Sequence, residues 1–63
     1  MNNLNLEFEF LTTEELAKFI KVSMNWLRHN RLSKNPIPYK KFEKFVRYEK
    51  KEVLKWIKKQ SLI

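Results

Sequence analysis

The sequence predicts a mainly α fold with one small β-hairpin: two short helices joined by a tight turn, then the hairpin, then a closing helix. Three observations predict it. Two helix-start signals, at Thr12 and Ser23, flank a short turn at Lys21 and Val22. The segment from Pro36 to Tyr48 mixes aromatic and basic residues in two short runs after a helix-breaking proline. Val53, Leu54, Trp56 and Ile57 recur at helical spacing among lysines.

The first seven-residue pattern, Leu4-Asn5-Leu6-Glu7-Phe8-Glu9-Phe10, alternates apolar and polar residues with the period of a half-buried strand. It is read as an N-terminal arm over residues 1–9, either an edge strand on the hairpin or a loose extension. Thr12 stands three residues before Glu15, a capping box in which each side chain satisfies the other's backbone N–H. Leu16, Phe19 and Ile20 follow at helical spacing, and Ala17 is small enough for a second helix to approach closely. The first helix is expected near 13–20. Lys21 falls in the turn, where a left-handed backbone is expected and glycine would be cheapest, but the chain has no glycine. Val22 should plug the space between the helices.

Ser23 caps the second helix, which carries Met24 to Asn30 and extends to Arg31. Leu27 should face the core, leaving Asn25, Arg28 and the residues one turn further on facing outward. The run Ser33-Lys34-Asn35-Pro36 ends the helix. Tyr39 to Phe42 and Phe45 to Tyr48 read as two strands. With a two-residue turn at Glu43 and Lys44, one face would hold Tyr39, Lys41, Val46 and Tyr48, and the other Lys40, Phe42, Phe45 and Arg47. Such a turn without Gly or Asn is unfavourable, so a three- or four-residue loop competes with it, and a three-residue loop would shift the pairing. A last helix over about 50–59 turns Val53, Leu54, Trp56 and Ile57 inward. Residues 10–60 thus form one domain.

Charge and composition exclude much. The chain has 63 residues and a net charge of +7. Residues 1–16 hold four acids and no base, whereas residues 17–63 hold all fourteen Lys and Arg against three acids, a balance of +11. A surface of that sign attracts polyanions and gains affinity by releasing condensed counterions. There is no cysteine and one histidine, His29, so neither a disulfide framework nor a thiolate or zinc site is expected. Without paired acids or a glycine-rich phosphate loop, no enzyme constellation is present and no cofactor is expected. No run approaches the roughly 20 apolar residues of a membrane helix, and the N-terminus lacks a basic signal-peptide start, so an intracellular, cytoplasmic protein is expected.

A helix-turn-helix followed by a basic hairpin fits a DNA major groove and its flanking phosphates, which makes double-stranded DNA the leading partner. Arg28 is the first candidate for a base-edge contact, because a guanidinium bonds guanine O6 and N7 bidentately. Asn25 can read adenine or bond the local backbone. Ser23 caps the helix and can also touch phosphate. His29 suits a phosphate contact or packing, and Arg31 extends the basic helix face. Lys34, in the loop after the helix, and Lys40, Lys44 and Arg47, on the hairpin, are candidates for the sugar-phosphate backbone. Each has a plainer reading as a solvated surface cation. Nine residues are aromatic; Phe19, Trp26, Tyr39, Tyr48 and Trp56 are expected in the core of so small a domain. Phe42 and Phe45, near the hairpin tip, are ambiguous between packing on the arm, a protein partner and DNA sugars.

Residues 10–58 resemble the small MerR-like winged helix-turn-helix proteins of the excisionase and AlpA type, found in prophages, integrative elements and plasmids. The resemblance rests on the capping box with Leu16-Ala17, on Val22-Ser23 and Ser23-x-x-Trp26-Leu27, on Pro36-Ile37-Pro38-Tyr39-x-Lys41, on Phe45-Val46-Arg47-Tyr48 and on Val53-Leu54-Lys55-Trp56. The chain departs from the family pattern at Lys21, commonly glycine, and at Phe42-Glu43, commonly Ile-Gly. The resemblance implies sequence-specific duplex binding, with the second helix in the major groove and the hairpin, or wing, on the adjacent backbone, and it too places Arg47 on phosphate. It implies a role as a recombination directionality factor beside an integrase, or as a small transcriptional regulator, with the integrase or further copies of the chain as partners. Three readings compete: a single-strand or RNA binder, a protein-interaction adaptor, and a basic membrane-surface peptide, since residues 53–63 are amphipathic and lysine-rich.

Overall fold

The computed structural model describes residues 9–60. In chain order its elements are β1 (Phe10–Leu11), α1 (Thr13–Ile20), α2 (Met24–Arg31), β2 (Lys40–Phe42), β3 (Phe45–Glu49) and α3 (Lys50–Gln60). The expected helix-turn-helix, hairpin and closing helix are all present. A strand does join the hairpin at the N-terminal side, but it is the short β1; residues 4–8 of the alternating segment lie outside the described residues.

Local chemistry sets the first two helices. The Thr12 N–H donates to Glu15 Oε1 at 2.9 Å and the Glu15 N–H donates to Thr12 Oγ1 at 3.0 Å, closing the capping box. Lys21 ends α1 in the left-handed region, at φ 61° and ψ 51°. That conformation costs a residue with a Cβ about 1–2 kcal/mol, and it lets the Val22 N–H reach the Ala17 carbonyl at 2.9 Å. Ser23 Oγ then accepts the Trp26 N–H at 2.9 Å to start α2. The chain reverses within three residues, so α1 and α2 pack as a tight pair.

After α2, Asn30 anchors the loop. Its Oδ1 accepts the Ile37 N–H at 2.9 Å and its carbonyl accepts the Ser33 hydroxyl at 2.7 Å. These bonds hold the segment across the domain and seat the Ile37 side chain, fully buried, in the core. The hairpin that follows closes with the two-residue turn: Phe42 pairs with Phe45, Lys41 with Val46 and Lys40 with Arg47. Glu43 supplies the left-handed residue, at φ 56°. β3 is the central strand, flanked by β2 and by β1, whose Phe10 and Leu11 pair antiparallel with Glu49 and Tyr48. At the corner into α3, the Lys50 N–H donates to the Glu9 carbonyl at 3.0 Å and Lys50 Nζ lies 3.6 Å from the Glu9 carboxylate.

The core is Leu11, Leu16, Ala17, Leu27, Ile37, Tyr48 and Val53, with Ile20, Val22, Met24, Val46, Trp56 and Ile57 packed around it. Four residues expected inside are corrected by their exposure: Phe19 is 44% exposed, Trp26 44%, Tyr39 39% and Leu54 46%. The cause is geometric. A helix that meets a small core presents one stripe to it: Trp26 and Leu54 each lie about 100° around the axis from the buried Leu27 and Val53, and Phe19 lies about 110° from the midpoint of the buried Leu16 and Ala17. Tyr39 instead caps Tyr48 from the outside, ring centroids 6.2 Å apart.

Candidate nucleic-acid interface

The two faces of α2 are chemically opposite. Leu27 is buried, and Met24, Asn30 and Arg31 are half-buried beside it; Asn25, Trp26, Arg28 and His29 are exposed. At 100° per residue, Asn25 and His29 form the centre of the outward face, with Arg28 on one flank and Trp26 on the other. Ser23 stands at the head of this helix with its hydroxyl engaged as the cap. Four exposed side chains with hydrogen-bonding or aromatic heads therefore project from one rigid helix, which is the form a major groove accepts.

A groove of about 400 Å³ separates this helix from the wing. Thr12, Thr13 and Glu14, at the start of α1, line one end; Met24, Arg28 and Arg31 line the helix side; Lys44, Phe45, Val46 and Arg47 line the wing side. The fold thus brings together four of the cations singled out in the sequence, Arg28, Arg31, Lys44 and Arg47. Lys40 pairs with Arg47 across the hairpin but does not line this groove; it stands beside Tyr39, Glu49 and Glu52. Glu14 is the acid at this groove, and it is partnered by Lys18 at 3.7 Å. Lys34 is exposed in the loop after α2 and does not line the groove.

Two of these arginines are already engaged. Arg31 Nη1 donates to the Tyr48 hydroxyl at 2.8 Å and to Thr13 Oγ1 at 3.3 Å, and its guanidinium lies 5.9 Å from the Tyr39 ring centroid. It therefore ties α2 to the start of α1 and to the central strand, a role the sequence pattern did not disclose. Arg47 Nη1 donates to the Val46 carbonyl at 2.8 Å and its guanidinium sits 5.4 Å over the Phe45 ring. The arginine is held on the strand with its charge at the groove rim. Such pre-ordering lowers the entropy lost when a phosphate is gripped. Arg28, by contrast, is exposed and makes no such tie among the described residues, so its head can reach a base edge.

Sequence reasoning missed Trp26, assigned to the core but standing on the outward face of α2, and Asn30, whose amide oxygen positions the wing's approach. The spacing of Trp26 one residue before Leu27 carried the signal for the first; Asn30 gave none, because its partner Ile37 is seven residues away. Among the described residues no cluster of three His, Cys, Asp or Glu side chains is placed to hold a metal ion, and no helix is long and apolar enough to cross a membrane.

A family model described as a helix-turn-helix domain matches residues 10–61. No curated protein and no solved structure matches the chain significantly.

Proposed function

The chain belongs to the helix-turn-helix domain family, and from that premise we propose that it is a sequence-specific double-stranded DNA-binding protein of a mobile element, acting as an excisionase or recombination directionality factor. The observation that carries the DNA reading is the groove that sets Arg28, on the flank of the polar face of α2, against Lys44 and Arg47 of the wing. α2 enters the major groove, with Arg28, Asn25 and His29 at base edges. Lys40, Lys44 and Arg47 meet the sugar-phosphate backbone alongside, and Ser23 and Lys34 contact phosphates at the two ends of the helix. The chain performs no chemistry; it positions DNA for an integrase, alone or with further copies of itself bound in series. Its place of work is the nucleoid of a bacterial cytoplasm.

The resemblance to excisionase and AlpA proteins supports the recombination role. A small transcriptional regulator uses the same DNA-reading surface and is the second reading. Selection of bound duplexes from a random pool tests DNA reading: the wild type enriches one motif, and Arg28→Ala weakens that motif by roughly 1–3 kcal/mol while leaving scrambled duplex less affected. Equal losses on both would reassign Arg28 to phosphate, and no enriched motif would refute sequence-specific binding. An excision assay with the recombinase of the same element separates the two roles. Stimulated excision supports the directionality factor; an effect on promoter output alone supports the regulator.

A further inference from the structure

The outer face of the sheet is aromatic and cationic, and the duplex-reading role uses only its cations. Phe42 and Phe45 are cross-strand partners, and Lys40 and Arg47 pair two residues further along. Side chains alternate along a strand, so these four share one face. Glu49 follows two residues beyond Arg47 and pairs with Phe10, which puts Phe10 on the same face. The opposite face turns Val46, Tyr48 and Leu11 toward the core.

The three phenylalanines are 42%, 49% and 47% exposed for Phe10, Phe42 and Phe45. Their rings are organised: Phe10 and Phe42 meet edge to face at 6.5 Å and 86°. Lys44 Nζ and Arg47 lie 6.0 and 5.4 Å from the Phe45 ring centroid. A domain that buries so few side chains leaves three large rings in water on one face, with cations between them. The acids on the face stand at its margins, Glu43 at the turn and Glu49 beside Phe10.

We infer that this face binds single-stranded DNA, with bases stacked on Phe42, Phe45 and Phe10 and phosphates held by Lys40, Lys44 and Arg47. Bases offer their flat faces only when unpaired, so the rings select single strands, while the cations match the charge of the backbone. Stacking is indifferent to base identity, so binding is sequence-tolerant. The source is the strand exposed when a duplex opens beside a bound protein. Phe45 stands where this face meets the groove beside α2, which makes the two surfaces continuous.

The test is fluorescence anisotropy of the full chain with a labelled oligothymidylate of roughly twelve nucleotides, set beside a random-sequence duplex. The oligonucleotide is expected to bind, and Phe42→Leu and Phe45→Leu, which keep apolar bulk and remove the ring, are each expected to weaken it about fivefold or more. Phe42 does not line the groove beside α2, so the duplex affinity of Phe42→Leu should stay within about twofold. Phe42→Trp keeps a ring, so it should bind as tightly as the wild type, and its added indole fluorescence should be quenched by the bases. No binding of the oligonucleotide, or undiminished binding by both leucine variants, overturns the inference. So does an unquenched Phe42→Trp, a readout that stands even if a leucine variant fails to fold. An equal loss on duplex by Phe42→Leu assigns the rings to the duplex interface, tenfold tighter binding of oligouridylate assigns the face to RNA, and either result refutes it.

Discussion

Arg28 and Arg31 are three residues apart on one helix and do opposite work. Arg28 is exposed on α2 and is the proposed base reader, whereas Arg31 holds Tyr48 and Thr13. Removing a charged donor from the hydroxyl of the buried Tyr48 costs about 1.5–3 kcal/mol. Arg31→Ala is therefore expected to lower the thermal midpoint by roughly 6–24 °C in a circular-dichroism melt, while Arg28→Ala leaves the melt unchanged. A melt unaltered by Arg31→Ala would return that arginine to the DNA-contacting set. The sequence offers both as basic residues of one helix face. What separates them is a tyrosine 17 residues away, and no local pattern encodes that pairing. Trp26 is the converse case, since a large ring next to Leu27 reads as core until the axis of the helix is known.

At the scale of elements, each turn of the fold is written in short-range chemistry, which is why the order of elements was legible. The capping box, the serine cap and the proline after α2 act within four residues of the positions they control. The register of the wing was less so, because the turn lacks the residues that usually announce it. Lys21 and Glu43 both adopt positive φ in a chain without glycine. These are the two places where the resembling family commonly has glycine. Replacing either with glycine should relieve the left-handed cost, offset in part by greater freedom of the unfolded chain. Lys21→Gly and Glu43→Gly are each expected to stabilise the domain by about 0.5–1 kcal/mol, a rise of roughly 2–8 °C in Tm. A fall in Tm would mean that the lysine or glutamate side chain contributes contacts that outweigh the strain. Glu43→Lys is expected to raise affinity for duplex of any sequence, because it removes a negative charge from the wing tip.

At the scale of the whole molecule, seven buried side chains among the described residues hold three helices and three strands together. A chain this small buries only about 60% of its unfolded surface, so many of its large residues remain outside. That shortage explains why a composition-based core was too large: four of the expected members sit on the surface, where they are available to partners. Charge, in contrast, was fully legible, since a balance of +11 over residues 17–63 needs no fold to be read. The fold converts it into a directed surface by placing Lys44 and Arg47 beside the helix that carries Arg28.

That convergence makes duplex binding an electrostatic grip with a measurable signature, and the measurement is the affinity for duplex DNA across a series of salt concentrations. With about four to six phosphates neutralised, the slope of log K against log salt is expected near −4 to −5, and Lys40→Ala with Arg47→Ala should make it shallower by about two while weakening cognate and scrambled duplexes alike. A slope near zero, or a slope unchanged in the double variant, would contradict the placement of DNA against α2 and the wing.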